Sequence, residues 1–130
     1  MASSNVRVKS GYIVDLLTDP YNNTQDATTT GAVTGGWIFK DSPYTTYQAI
    51  CYGTGACAAT FTLQYSNDGI NPIATSGGTV TLSGTAYPYG NANTTLSDSI
   101  TASTAPYKYV RCVTSVVSGS IAALICKMGV

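Results

Sequence analysis

The chain has 130 residues, with six basic and six acidic side chains, no histidine and a formal net charge of zero; that length suits one domain around a single core. Only 9% of the residues are charged, against 44% hydrophobic, and neither sign is concentrated in one stretch, so the electrostatic footprint of nucleic-acid binding or of attachment to an anionic membrane surface is missing. Without histidine there can be no Ser-His or Cys-His nucleophilic pair and no histidine metal site.

The amino-terminal stretch Met1-Ala2-Ser3-Ser4-Asn5-Val6-Arg7 lacks the apolar run and small-residue cleavage site of a secretory signal, which leads to the expectation of a protein made in a cytoplasm. Residues 1–36 read as an extended arm. Little periodic pattern runs through 19–36, and Thr28-Thr29-Thr30-Gly31 and Thr34-Gly35-Gly36 are loop chemistry. Tyr12-Ile13-Val14 reads either as a strand or as an arm segment that docks on a neighbour. Tyr12, Ile13 and Tyr21 are the arm's candidate contact residues. The compact domain is expected over 37–130, opening with Trp37 and Phe39 as core residues on either side of Ile38.

From there the pattern is that of strands. Residues 44–52 form one, and Gly53-Thr54-Gly55 is read as a turn that joins it to a second, so that the two make a hairpin. In that second strand Ala59, Phe61, Leu63 and Tyr65 alternate with Thr60, Thr62 and Gln64, which puts apolar side chains on one face and polar ones on the other. Ser66-Asn67-Asp68-Gly69 follows as a turn, since Asn, Asp and Gly tolerate positive φ. Shorter strands are expected over 79–83 and 96–101. Between them, Tyr87-Pro88-Tyr89-Gly90-Asn91 is too polar and glycine-rich for a strand yet carries two aromatics. A last hairpin is expected from the strand 107–115, with Val110, Cys112 and Thr114 on one face, through Ser118-Gly119-Ser120 to a returning strand with Ala122, Leu124, Cys126 and Met128 on one face. Short strands about ten residues apart imply an all-β, antiparallel two-sheet sandwich of jelly-roll type with an extended N-terminal arm.

The chemistry of catalysis is scarce. Asp15, Asp19, Asp26, Asp41, Asp68 and Asp98 are the only acids, and no two lie within three residues of each other, so a paired-carboxylate site would have to be assembled by folding. Turn capping accounts for Asp68 beside Gly69. Cys51, Cys57, Cys112 and Cys126 do not form the paired CxxC units of zinc ribbons. They read as free thiols that act as small core hydrophobes, with two cross-strand disulfides, Cys51 to Cys57 and Cys112 to Cys126, as the competing reading. No metal, cofactor or catalytic residue is expected. Ten tyrosines stand against two phenylalanines and one tryptophan, and Tyr offers contact area and a hydrogen bond at little entropic cost. Tyr87 and Tyr89 are therefore candidate contact residues, or else simply cap one end of the fold.

The run Ala58-Ala59-Thr60-Phe61-Thr62-Leu63-Gln64-Tyr65-Ser66-Asn67-Asp68-Gly69-Ile70-Asn71, followed by Thr79-Val80-Thr81-Leu82-Ser83-Gly84, resembles the small β-sandwich capsid decoration, or cement, proteins of tailed bacteriophages. So do Pro106-Tyr107-Lys108-Tyr109-Val110-Arg111 and Val117-Ser118-Gly119-Ser120 near the end. The resemblance spans about 44–130. It implies a non-enzymatic virion protein on the outer capsid surface, made in the host cytoplasm, trimeric at a symmetry axis, with the major capsid protein lattice as partner. The other reading is a carbohydrate-binding or host-attachment module of a tail fibre or baseplate, with Tyr87 and Tyr89 stacking on sugar.

Overall fold

The computed structural model describes residues 7–8, 13–17, 31–40, 45–74, 77–91, 96–101 and 107–129. Among them there is no helix. Seven strands form one sheet: β1 (Arg7–Val8), β2 (Ile13–Asp15), β3 (Ile38–Lys40), β4 (Thr46–Ser66), β5 (Gly78–Ala86), β6 (Leu96–Ser99) and β7 (Tyr109–Gly129). The chain is all-β, and its strands pair antiparallel except β1 with β3, which run parallel.

β4 and β7 organise the molecule. Each has 21 residues, about 70 Å if straight, roughly twice the width of a compact domain of this size. They must bend, and they do so together. Residues 46–52 of β4 pair with 123–129 of β7, and 57–66 of β4 with 109–119 of β7, with register breaks in between. The first half of β4 carries β6 on its other side and the second half carries β5. β7 likewise takes β2 near its end, Ile13 opposite Gly129, and β3 near its start, Ile38 opposite Val110. Tyr47 and Tyr65 show how far the bend goes. They are eighteen positions apart, about 60 Å on a straight strand, yet their phenols interact. The two arms of β4 therefore double back.

This differs from the two expected hairpins. The halves of β4 pair with β7 and β6 or β5 instead of with each other, and the same holds for β7. Gly53-Thr54-Gly55 and Ser118-Gly119-Ser120 make bends inside continuous strands. The physical reason is visible in the register. Val116 and Val117 together stand opposite Ala59, an extra residue that kinks the strand, and Ala122 has no partner because Tyr52 faces Ala123 while Gly53 faces Ile121. Ala122 is accordingly exposed, unlike Leu124, Cys126 and Met128 on the core face.

Elsewhere the alternation read from sequence holds. Ala59, Phe61, Leu63, Tyr65, Val110, Cys112 and Thr114 are all at most 2% exposed. One core cluster joins all of these but Thr114 to Tyr47, Ala49 and Cys51 of the other arm and to Leu82, Ala86 and Ile100. Within the segment expected as an arm, residues 13–17 carry Val14, Leu16 and Leu17 into that same core. Leu16 N donates to Cys126 O at 2.7 Å, and Asp15 Oδ1 accepts from Leu17 N at 3.0 Å. Residues 31–36 run along β7: Gly35 N donates to Cys112 O and Thr114 N to Val33 O, while Thr114 Oγ1 donates to Gly31 O and accepts from Val33 N. Trp37 is buried beneath the Arg111 guanidinium, 4.2 Å from its ring, and Phe39 meets Tyr109 edge-on at 5.4 Å.

Candidate contact surface

The doubling back of β4 and β7 gives the molecule two unlike ends. At the bent end, three chain segments meet: 53–58 of β4, 115–121 of β7, and 84–91, which leaves β5. Gly53 N donates to Tyr87 O at 3.1 Å, tying the tyrosine loop to the bend, and Asn91 N donates to Pro88 O at 3.1 Å, closing a turn around Tyr89 and Gly90. Gly90 sits at φ 84°, where a residue without Cβ is favoured. The tyrosine loop is thus closed by one backbone hydrogen bond of its own and held by another to a paired strand.

Two large apolar side chains project from this end. Tyr89 is 64% exposed, although its ring stands edge-on against Tyr52 at 5.5 Å. Burial, and next the Tyr89 phenol, raise the pKa of Tyr52. Val116 is 78% exposed at φ 50°, a left-handed conformation that is strained for a β-branched side chain. None of the residues 53–58, 84–91 and 115–121 carries a charge. Among the described residues, Asp15, Lys40, Asp68, Asp98, Lys108, Arg111 and Lys127 all belong to the opposite end or its approaches. Asp15 and Lys127 pair there beside Gln48, Asp98 faces Ala49, and Arg111 faces Gln64.

The charged end is built differently. Ser66 Oγ accepts from Asp68 N and Gly69 N, and Asp68 Oδ1 accepts from Ile70 N at 2.9 Å and Asn71 N at 2.8 Å. Asn71 Nδ2 donates to Asp68 Oδ2 at 2.8 Å. These donors, Asn71 first and then Ile70 and Ser66, hold the Asp68 carboxyl well below the usual carboxylate range. Asp68 is thus occupied in forming the turn. Lys40 is buried over the Tyr65 ring at 5.0 Å, and burial, then Lys108, lowers its pKa. A cleft of about 350 Å³ lies between β2, β4, β6 and β7, with Ile13, Gln48, Asp98 and Lys127 on its walls. Gln48 Nε2 donates to Ser97 Oγ across it at 2.9 Å.

Of the residues singled out from sequence, Tyr87 is half-buried and holds the loop through its carbonyl, Tyr89 is exposed beside it, and Ile13 is 52% exposed on the cleft rim at the other end. The structure does not bring Ile13 together with the tyrosines. Tyr12 and Tyr21 lie outside the described residues. Val116 was not singled out, since its exposure follows from the bulge, and a Val-Val pair in a strand pattern gives no sign of one. Among the described residues no three Cys, Asp or Glu side chains come together to hold a metal ion. No protein-family model, curated protein or solved structure matches the chain.

Proposed function

We propose that the chain is a virion structural protein of a tailed bacteriophage, a two-sheet sandwich of jelly-roll type that binds the major capsid protein lattice from outside as a homotrimer and stabilises the assembled shell. The observation that carries this reading is the charge-free bent end, where Tyr89 and Val116 project from a backbone held by strand pairing. Interface cores are depleted in charge and enriched in tyrosine, and a loop fixed in advance loses little entropy on docking. A net charge of zero also suits many copies packed side by side, because copies of large like charge repel one another.

A protein that binds only the assembled lattice stabilises that lattice by its binding free energy. Mixing purified protein with bare particles of its own virus is therefore expected to give co-sedimentation and a higher disruption temperature, with no association to free capsid subunits. An uncharged contact is weakly screened, so binding is expected to change little from low to moderate salt. Tyr89→Ala should weaken it. Failure to co-sediment, together with retention on a host-polysaccharide column that Tyr87→Ala and Tyr89→Ala abolish, refutes the capsid reading in favour of a carbohydrate-binding attachment module.

A further inference from the structure

Each of the two long strands carries one cysteine on either side of its bend. Cys51 and Cys57 flank the irregular stretch of β4, and Cys112 and Cys126 flank that of β7. All four are free, all face the core, and none is more than 5% exposed. They belong to one cluster of packed side chains. Cys57 Sγ lies so close to the β4 backbone that a Cβ added at Gly53, two residues beyond Cys51, would be 2.8 Å from it. Facing sheet layers ordinarily stand about 10 Å apart, but the arms of a bent strand converge toward the bend, where a disulfide's shorter reach suffices.

Each cysteine's neighbour is its counterpart on the other arm. Burial, then Cys57, pushes the Cys51 thiol up to about 12. Cys126 is raised by its hydrogen bond with Cys112 and by burial. An external disulfide must reach a sulfur to exchange with it, so native thiols that the core covers are closed to external oxidants. The unfolded chain has no such protection.

We propose that Cys51 with Cys57 and Cys112 with Cys126 are two intrachain disulfide-forming pairs whose redox state is set while the chain folds and is then sealed by the core. With glutathione disulfide as oxidant, one cysteine thiolate attacks the glutathione S–S bond and releases one glutathione thiolate, leaving a mixed disulfide. The second cysteine thiolate displaces the other glutathione. For each pair, two protein thiols are oxidised to one disulfide, one glutathione disulfide is reduced to two glutathiones, and the two thiol protons end on the glutathione sulfurs. This inference is independent of the proposed function.

The sequence supplies a clean readout. Trypsin cleaves after Lys40, Lys108, Arg111 and Lys127, with no lysine or arginine between Asp41 and Tyr107 or between Cys112 and Cys126, so each pair falls in its own peptide. Reduced, denatured protein is refolded in a glutathione redox buffer, and native reduced protein is held in the same buffer for the same time. Both are then denatured, alkylated, digested and weighed. The expected result is that the refolded sample regains native β circular dichroism and yields both peptides lighter by two hydrogens, unalkylated and not linked to each other. The sample held in the buffer as native protein should yield four alkylated cysteines. Peptides linked to each other, an oxidised chain that does not regain the native spectrum, or native protein that oxidises as fast as unfolded protein each overturns the proposal.

Discussion

Gly119 tests the bend most directly. It lies at φ 91°, and a Cβ added there would stand 2.1 Å from Ala56 O, 2.8 Å from Cys57 Cα and 3.0 Å from Ala56 C. Every one of these atoms is β4 backbone, which cannot swing aside as a side chain would. Nor can β4 retreat, because its other edge is held by β5 through Ala56 opposite Thr85 and Cys57 opposite Gly84. Gly119→Ala combines a backbone conformation costing about 1–3 kcal/mol with overpacking of roughly 1–3 kcal/mol. A loss of about 4 kcal/mol is expected, a large part of the 5–15 kcal/mol or so that holds a domain together. Gly31→Ala is the control, since nothing lies within 4 Å of its added Cβ, and it should leave stability unchanged or raise it by about 0.4–1 kcal/mol. Urea unfolding followed by the fluorescence of Trp37, the only tryptophan and fully buried, reads both variants. A loss below about 1 kcal/mol for Gly119→Ala, at an unchanged urea slope, would refute the close crossing of β4 and β7 at the bend.

Val116→Asn should act in the opposite direction three residues away: Asn enters the left-handed region more readily than Val, and the exposed side chain gives up little burial, so urea unfolding should show a gain of about 1 kcal/mol. Leu16→Ala should cost about 2–5 kcal/mol, because Leu16 is 1% exposed within the core; a variant as stable as its parent would make 13–17 a detachable arm. Asp68→Asn should reveal a linkage to acid. The folded-state pKa of Asp68 is depressed, so its ionised form stabilises the fold above the unfolded carboxylate range near pH 4 and loses that effect as pH falls through the lower folded value. Melting temperatures measured from neutral to strongly acid pH should show the parent ahead of the variant at neutrality and the gap closing in acid; a gap that stays constant would contradict the turn's hydrogen-bond pattern.

The strand faces were legible because period-two alternation needs only neighbouring residues. Ala59, Phe61, Leu63 and Tyr65 face the core for the reason their spacing announces. The connectivity was not legible. A Gly-Thr-Gly or Ser-Gly-Ser step supplies positive φ, and positive φ serves a hairpin turn and a bulged bend equally well. Which one forms depends on whether the flanking strands find each other or a third strand, a long-range fact carried by no local motif. Residues 13–17 were ambiguous for the same reason: a three-residue strand gives too short a pattern, and only its partner, residues 127–129 of β7, makes it part of the core. At the candidate surface, the unusual composition of Tyr87-Pro88-Tyr89-Gly90-Asn91 marked Tyr89. Val116 stayed hidden because the bulge exposing it is set by pairing with Ala59.

The same bend also bears on how a capsid contact would work. It draws together three segments far apart in sequence and concentrates all described charge toward the other end, leaving a small uncharged tip on which, among the described residues, Tyr89 and Val116 are the large exposed hydrophobics. A contact built on such a tip lacks the charge that steers association and offers two large apolar anchors, Tyr89 and Val116. One copy should therefore bind weakly and leave quickly. Tight attachment then requires several tips to engage at once, since linking weak contacts raises apparent affinity by about 10²–10⁴ without any new contact. On the capsid reading, dissociation should slow steeply with the number of tips held together, and Val116→Asp, which places a charge in the tip, should weaken particle binding far more than it weakens the fold. Equal binding by parent and variant to intact particles would place the contact elsewhere on the molecule.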